Sequence, residues 1–250
     1  MKTTSRSFFS SLLALALLFA TAVVSDAAPI NYGDFSGTSV MYLDVTETAN
    51  SPGDDEPLYG PPTISGNKLD FDPSGFAATA VPGTPDVTDG QLNFTLMAAP
   101  GATLKTINIS EGGDFTLFGS GTTSTQVGYG IALGSVVVTE INGSAIAPVA
   151  LNGASAFGSK NLVADGPVIG ASWGLTLSYD VDAALTAANL PLGATKLEIA
   201  INDTLLAISE PSSVAFIAKK DFMIDTTIPE PTSMALALLS MVALASSRRR

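Results

Sequence analysis

The 250-residue chain contains no cysteine and no histidine. Without cysteine it has no disulfides, no thiolate nucleophile and no Cys-type zinc site. Without histidine it has no Ser-His-Asp or Cys-His catalysis, and it lacks the commonest metal ligand. Any catalysis would rest on Asp, Glu, Lys, Ser or Tyr. Tryptophan occurs once, at Trp173, and aromatic content is low, at 7%. Positive charge is also scarce, with 11 basic residues against 23 acidic ones. Five of the basic residues (Lys2, Arg6, Arg248, Arg249 and Arg250) are terminal. Setting these and Asp26 aside leaves six basic and 22 acidic residues, a net charge of −16. Such a surface disfavours nucleic acid and anionic membranes and favours solubility.

The two ends are unlike the middle. Lys2 and Arg6 precede an apolar run from Phe8 to Val24, and Ser25-Asp26-Ala27 supplies small residues after it. That order marks residues 1–27 as a secretory signal peptide cut after Ala27 by signal peptidase, with Ala28 a second choice. At the other end, Pro229-Glu230-Pro231 precedes an apolar run from Met234 to Ala245, and Arg248-Arg249-Arg250 closes the chain. The prolines prevent a helix from entering from upstream. The arginines favour a cytoplasmic C-terminus. A helix from Thr232 to Ser247 would span roughly 24 Å against a hydrocarbon core of about 30 Å, which suits a temporary stop better than a lasting anchor.

Pro229-Glu230-Pro231, the single hydrophobic helix and the Arg248–Arg250 end together resemble the PEP-CTERM sorting signal of Gram-negative bacteria. The resemblance covers residues 228–250. It implies transient insertion in the inner membrane, removal of the tail near the motif by an exosortase, and release to the cell surface or beyond, often beside extracellular polysaccharide. A second resemblance lies in Asn31-Tyr32-Gly33-Asp34-Phe35, Tyr42-Leu43-Asp44-Val45-Thr46-Glu47, Pro57-Leu58-Tyr59-Gly60-Pro61-Pro62 and Leu69-Asp70-Phe71-Asp72-Pro73. These segments are similar to the start of uncharacterised PEP-CTERM-bearing planctomycete proteins, which implies a shared exported domain and no known activity.

Residues 28–227 read as one all-β domain, an antiparallel β-sandwich or jelly roll of about ten short strands. Strands are expected at Ser39–Thr48, Lys68–Asp72, Phe76–Val81, Gln91–Met97, Trp173–Val181, Lys196–Ile201 and Val214–Ile224. Two more are expected on either side of a Gly112-Gly113 turn. Asn142-Gly143 suits a type I′ hairpin between Val136–Ile141 and Ser144–Val149. Ala183–Asn189 is the one short helix expected, and Ser51–Pro62 and Pro82–Asp89 read as loops.

Candidate sites are few. Asp54-Asp55-Glu56 is the densest acidic cluster and a candidate calcium site, although it lacks the spacing of a recognisable calcium loop. No other cofactor is expected. Asp70 with Asp72, and Asp180 with Asp182, are strand-spaced carboxylate pairs that could serve a glycoside hydrolase. Trp173, Tyr32, Tyr42 and Tyr59 are the aromatics available to a sugar-binding face, though Trp173 sits in an apolar alternation that reads as core. The primary expectation is a non-enzymatic surface or matrix protein. A carbohydrate-binding module, with or without calcium, is the alternative, and a carboxylate-based glycoside hydrolase ranks third.

Overall fold

The computed structural model of the protein describes residues 28–50, 54 and 56–228. Residues 1–27 and 229–250, and with them both expected terminal signals, Ala27 and Arg248–Arg250 included, lie outside the described residues. Asp55 also lies outside them.

Among the described residues, thirteen strands form two antiparallel sheets. The first contains β1 (Ile30–Ser36), β2 (Val40–Ala49), β6 (Asp86–Ala98), β12 (Ala194–Ile208), β8 (Gln126–Ile141) and β10 (Ala154–Asn161), in that spatial order. A seventh strand, β9 (Ser144–Leu151), pairs with the far half of β8. The second sheet runs β11 (Val168–Asp180), β7 (Thr106–Gly119), β13 (Ser213–Thr227), β4 (Lys68–Phe71) and β3 (Thr63–Ser65), with β5 (Ala77–Ala80) against the start of β13. Two helices occur among the described residues, α1 (Leu162–Asp165) and α2 (Val181–Ala187). The expected all-β sandwich is therefore the fold.

Alternation builds the core. On β6, Leu92, Phe94, Leu96 and Ala98 are buried while the residues between them are partly exposed. On β12, Leu197, Ile199, Ile201, Leu205 and Ala207 do the same from the middle of that sheet. Side chains of period two from both sheets meet in one hydrophobic layer.

Several strands are longer than their sequence suggests. Gly112-Gly113 is not a turn, because β7 continues straight through it. The reason is on β13, whose register shifts between Lys219 and Asp221. That bulge presses the Ala218 carbonyl against Gly113, where an added Cβ would lie 1.9 Å from the oxygen. Glycine there permits close backbone approach rather than chain reversal. The expected Pro82–Asp89 loop is likewise too long, since β6 begins at Asp86. The Asn142-Gly143 turn is present, with φ of +50° and +75° at its two residues, as a type I′ turn requires.

Candidate functional site

A second bulge controls what faces the core near the N-terminus. Asp44 adopts φ +52°, and the pairing of β2 with β6 shifts between Leu43 and Thr46. Before the shift Val40 and Tyr42 point inward, and after it Val45 and Glu47 do. Glu47 is completely buried. Its carboxylate accepts hydrogen bonds from the backbone N–H groups of Leu58 (2.5 Å), Tyr59 (3.2 Å) and Gly60 (3.1 Å), and from the Tyr32 hydroxyl (2.7 Å). One carboxylate thus pins the loop that delivers Leu58 and Tyr59 into the core.

The Tyr59 ring packs edge-on against Phe71, Phe76 and Phe222. This aromatic group encloses three charged side chains. Lys219 on β13 directly contacts Asp203 on β12, and its Nζ lies 2.5 Å from Oε2 of Glu111 on β7. The side chains of all three are shielded completely from solvent. Lys219 donates a hydrogen bond to Asp203 Oδ2, whereas its contact with Glu111 Oε2 lacks hydrogen-bond geometry. The ammonium also sits 4.3 Å from the Phe76 ring centre and 5.0 Å from that of Phe222.

Each charge occupies an inward place in an otherwise apolar alternation. Glu111 follows Ile107 and Ile109, Asp203 lies between Ile201 and Leu205, and Lys219 follows Ala215 and Ile217. The bulge after Lys219 then restores Phe222 and Ile224 to the same face. Two further bonds hold it: Lys219 N–H donates to the Phe76 carbonyl at 2.9 Å, and Trp173 Nε1 donates to the Ala218 carbonyl at 3.1 Å. Burial, reinforced by the Asp203 charge, pushes the Glu111 carboxyl up to about 8 despite the nearby ammonium. Sequence reasoning missed this cluster. The signal was present as a charged residue at the apolar phase of each of three strands.

The predicted sites are more dispersed. Asp54 accepts a long bond from the Thr88 hydroxyl, and burial raises its carboxyl above the usual range, opposed by a hydrogen bond from the Asp89 backbone and reinforced by the Asp86 charge. Glu56 instead accepts from the Ala49 N–H at 2.6 Å. Among the described residues no group of three or more carboxylates is placed to hold a metal ion. Asp180 and Asp182 do not form a strand-face pair, because β11 ends at Asp180 and α2 follows. Asp180 caps that helix through the Ala183 N–H, and Asp182 pairs with Lys105. Burial raises the Asp70 carboxyl, followed in effect by the charges of Asp221 and Asp72. Trp173, Tyr42 and Tyr59 are all buried, so the sandwich surface does not offer them to a sugar.

Among the described residues, concavities open to solvent include a pair on the first sheet and at one end of the sandwich. One, of about 340 Å³, lies on the outer face of the seven-stranded sheet, where Asp44, Asn93, Thr95, Ser135, Val137 and Glu198 line it. The other, of about 460 Å³, lies at one end, between residues 97–103 and the Asn142-Gly143 turn. There Glu140 accepts from the Thr195 hydroxyl at 2.7 Å. Neither Asp70 with Asp72 nor Asp180 with Asp182 lines either concavity.

No family model matches the chain, and no curated protein matches it. Among solved structures, a native family 12 xyloglucanase from Bacillus licheniformis aligns at 10% identity over 81% of this chain and 99% of the other, with a TM-score of 0.21. A score that low carries no argument about activity. Among the described residues no helix is long and apolar enough to cross a membrane.

Proposed function

We propose that this chain is an exported, non-enzymatic protein of the cell surface or extracellular matrix, sorted through a C-terminal signal that an exosortase removes. The observation that carries this reading is the ordered C-terminus of Pro229-Glu230-Pro231, an apolar run and three arginines. The boundaries of the sandwich agree with it. Its first strand starts at Ile30, beyond the expected cut after Ala27, and its last ends at Thr227, before Pro229. Both cuts would leave every paired strand intact. The tail is then a disposable address, and the net negative sandwich is the product.

Intact mass spectrometry on membrane and extracellular fractions of the native host tests this. A released species running from near Ala28 to near Pro229 is expected. Changing Glu230 to Ala, or deleting Arg248–Arg250, should leave the protein retained or mislocalised. Normal release of both variants would overturn the sorting reading.

A second reading, carbohydrate binding, draws on the outer groove. Asn93, Thr95, Ser135 and Glu198 present amide, hydroxyl and carboxylate groups along one open sheet face, which suits hydrogen bonding to sugar hydroxyls. A polysaccharide pull-down weakened by Asn93→Ala and Glu198→Ala would favour it. Equal retention of wild type and variants would remove the groove from consideration.

A further inference from the structure

The Glu111–Asp203–Lys219 cluster has more than a structural ion pair needs. One ammonium meets two carboxyl groups in a closed aromatic shell. Full ionisation would leave a net negative charge in a dry core, which is strongly unfavourable. The second carboxyl group therefore calls for a role, and its chemistry suggests one.

We propose that Lys219 and Asp203 are joined by an amide bond between Nζ and Cγ, formed by the folded chain itself with Glu111 carrying the protons. The Lys219 Nζ already contacts Oδ2 of the Asp203 carboxylate whose carbon it would attack. Glu111 is beside them, its Oε2 2.5 Å from Nζ and its carboxyl pushed up to about 8 by burial and the Asp203 charge.

The step balances without a co-reactant. In the low-dielectric core the Lys219 ammonium passes a proton to the Asp203 carboxylate, giving a neutral amine and a neutral acid at no change in net charge. The amine lone pair attacks Asp203 Cγ. Glu111 donates its proton to the carbonyl oxygen of that acid and takes one from the attacking nitrogen, so a neutral tetrahedral intermediate forms. A C–O bond then breaks, the departing hydroxyl group leaves with a proton relayed through Glu111, and Glu111 ends protonated as it began. Ammonium plus carboxylate become secondary amide plus water, and nothing is oxidised or reduced.

Two features favour this direction. Folding fixes the partners in contact, which replaces a bimolecular encounter with an intramolecular one. Burial penalises the two charges that condensation removes, whereas in bulk water their hydration would hold the reaction back.

Asp203 is the acceptor because it has the hydrogen-bonded contact and because it belongs to the opposite sheet from Lys219. Glu111 shares a sheet with Lys219, and its contact lacks hydrogen-bond geometry. The bond would tie β12 to β13 across the core, providing a covalent link between sheets in a chain with no cysteine. Lys105–Asp182 and Lys220–Asp114 are internal controls. Both pairs are partly exposed, and neither lysine has a second carboxylate within ion-pair reach among the described residues, so they should stay unreacted.

The test is intact mass under denaturing conditions on the purified full chain or its released form, with both ends defined by peptide mapping. The expected mass is one water below that of the sequence between those ends. Trypsin should fail to cut after Lys219 and should yield a branched peptide joining the Lys219 and Asp203 segments. Lys219→Arg and Glu111→Gln should each return the full mass. Should either variant fail to fold, the wild-type map decides alone. Full wild-type mass with cleavage after Lys219 would overturn the proposal. A water loss mapped elsewhere, or a branch to Glu111 in place of Asp203, would overturn the assignment of these residues.

Discussion

Replacing Glu47 with Ala should be among the most damaging single changes in the sandwich, although the residue is a charged one on a strand. The wild-type carboxylate satisfies three consecutive backbone N–H groups and the Tyr32 hydroxyl. The amides of Leu58 and Tyr59 belong to buried residues, so water cannot readily replace the lost acceptor. Each orphaned buried donor costs about 1–3 kcal/mol, so the two together give about 2–6 kcal/mol. Gly60 and Tyr32 are partly exposed and can rehydrate, adding little. Relief from burying a carboxylate works in the other direction and places the expected loss near the middle of that range. Against a total stability of about 5–15 kcal/mol this is a large fraction. Urea titration at neutral pH measures it as a lower midpoint at unchanged slope. Glu47→Gln keeps one acceptor oxygen and should fall between wild type and Glu47→Ala. Tyr32→Phe should lose about 0.5–1.5 kcal/mol, the value of one ordinary hydrogen bond. A loss below about 1 kcal/mol for Glu47→Ala would refute the view that this carboxylate holds the Leu58–Gly60 loop in place.

Two other perturbations test the bulges and the buried charges. Gly113→Ala forces a Cβ to within 1.9 Å of the Ala218 carbonyl oxygen. Because the obstacle is backbone, the β13 bulge must move. A loss above about 3 kcal/mol, or failure to fold, is expected in thermal unfolding, and a near-native melting temperature would argue against that bulge. The raised Glu111 carboxyl links stability to pH. The folded protein holds this proton up to about 8, whereas the unfolded chain releases it near 4.5. The folded state therefore binds more protons between those values. The Glu111 contribution is fully present below about 4.5 and is lost as pH rises towards 8. Glu111→Gln also lacks the proposed Lys219–Asp203 amide, an offset that does not vary with pH, so the pH dependence of the difference in denaturant midpoint between wild type and Glu111→Gln reports the Glu111 contribution. A wild-type advantage that grows with pH would contradict the assigned direction.

The sequence alone determined the class of the protein and its expected route. Period-two alternation at Gln91–Met97 and Trp173–Tyr179 needs only local side-chain direction, so the strands and the burial of Trp173 could be read directly. Asn142-Gly143 was equally legible, because positive φ at two adjacent residues is a local demand. The expected terminal signals are order patterns along the chain, a charged, apolar and small-residue succession at one end and Pro229-Glu230-Pro231, an apolar run and arginines at the other, so they too are read from sequence. What the tertiary structure decided was phase and partnership. Bulges at Asp44 and after Lys219 depend on the neighbouring strand, and they determine whether Glu47 and Phe222 face the core. Gly112-Gly113 resembles a turn until β13 is laid beside it. Glu111, Asp203 and Lys219 come from three strands in two sheets, and only packing one sheet on the other brings their charges together. Hydrogen bonding within a strand is a property of its neighbours, and contact between sheets is a property of the whole fold, so neither can be read from residues along a single segment.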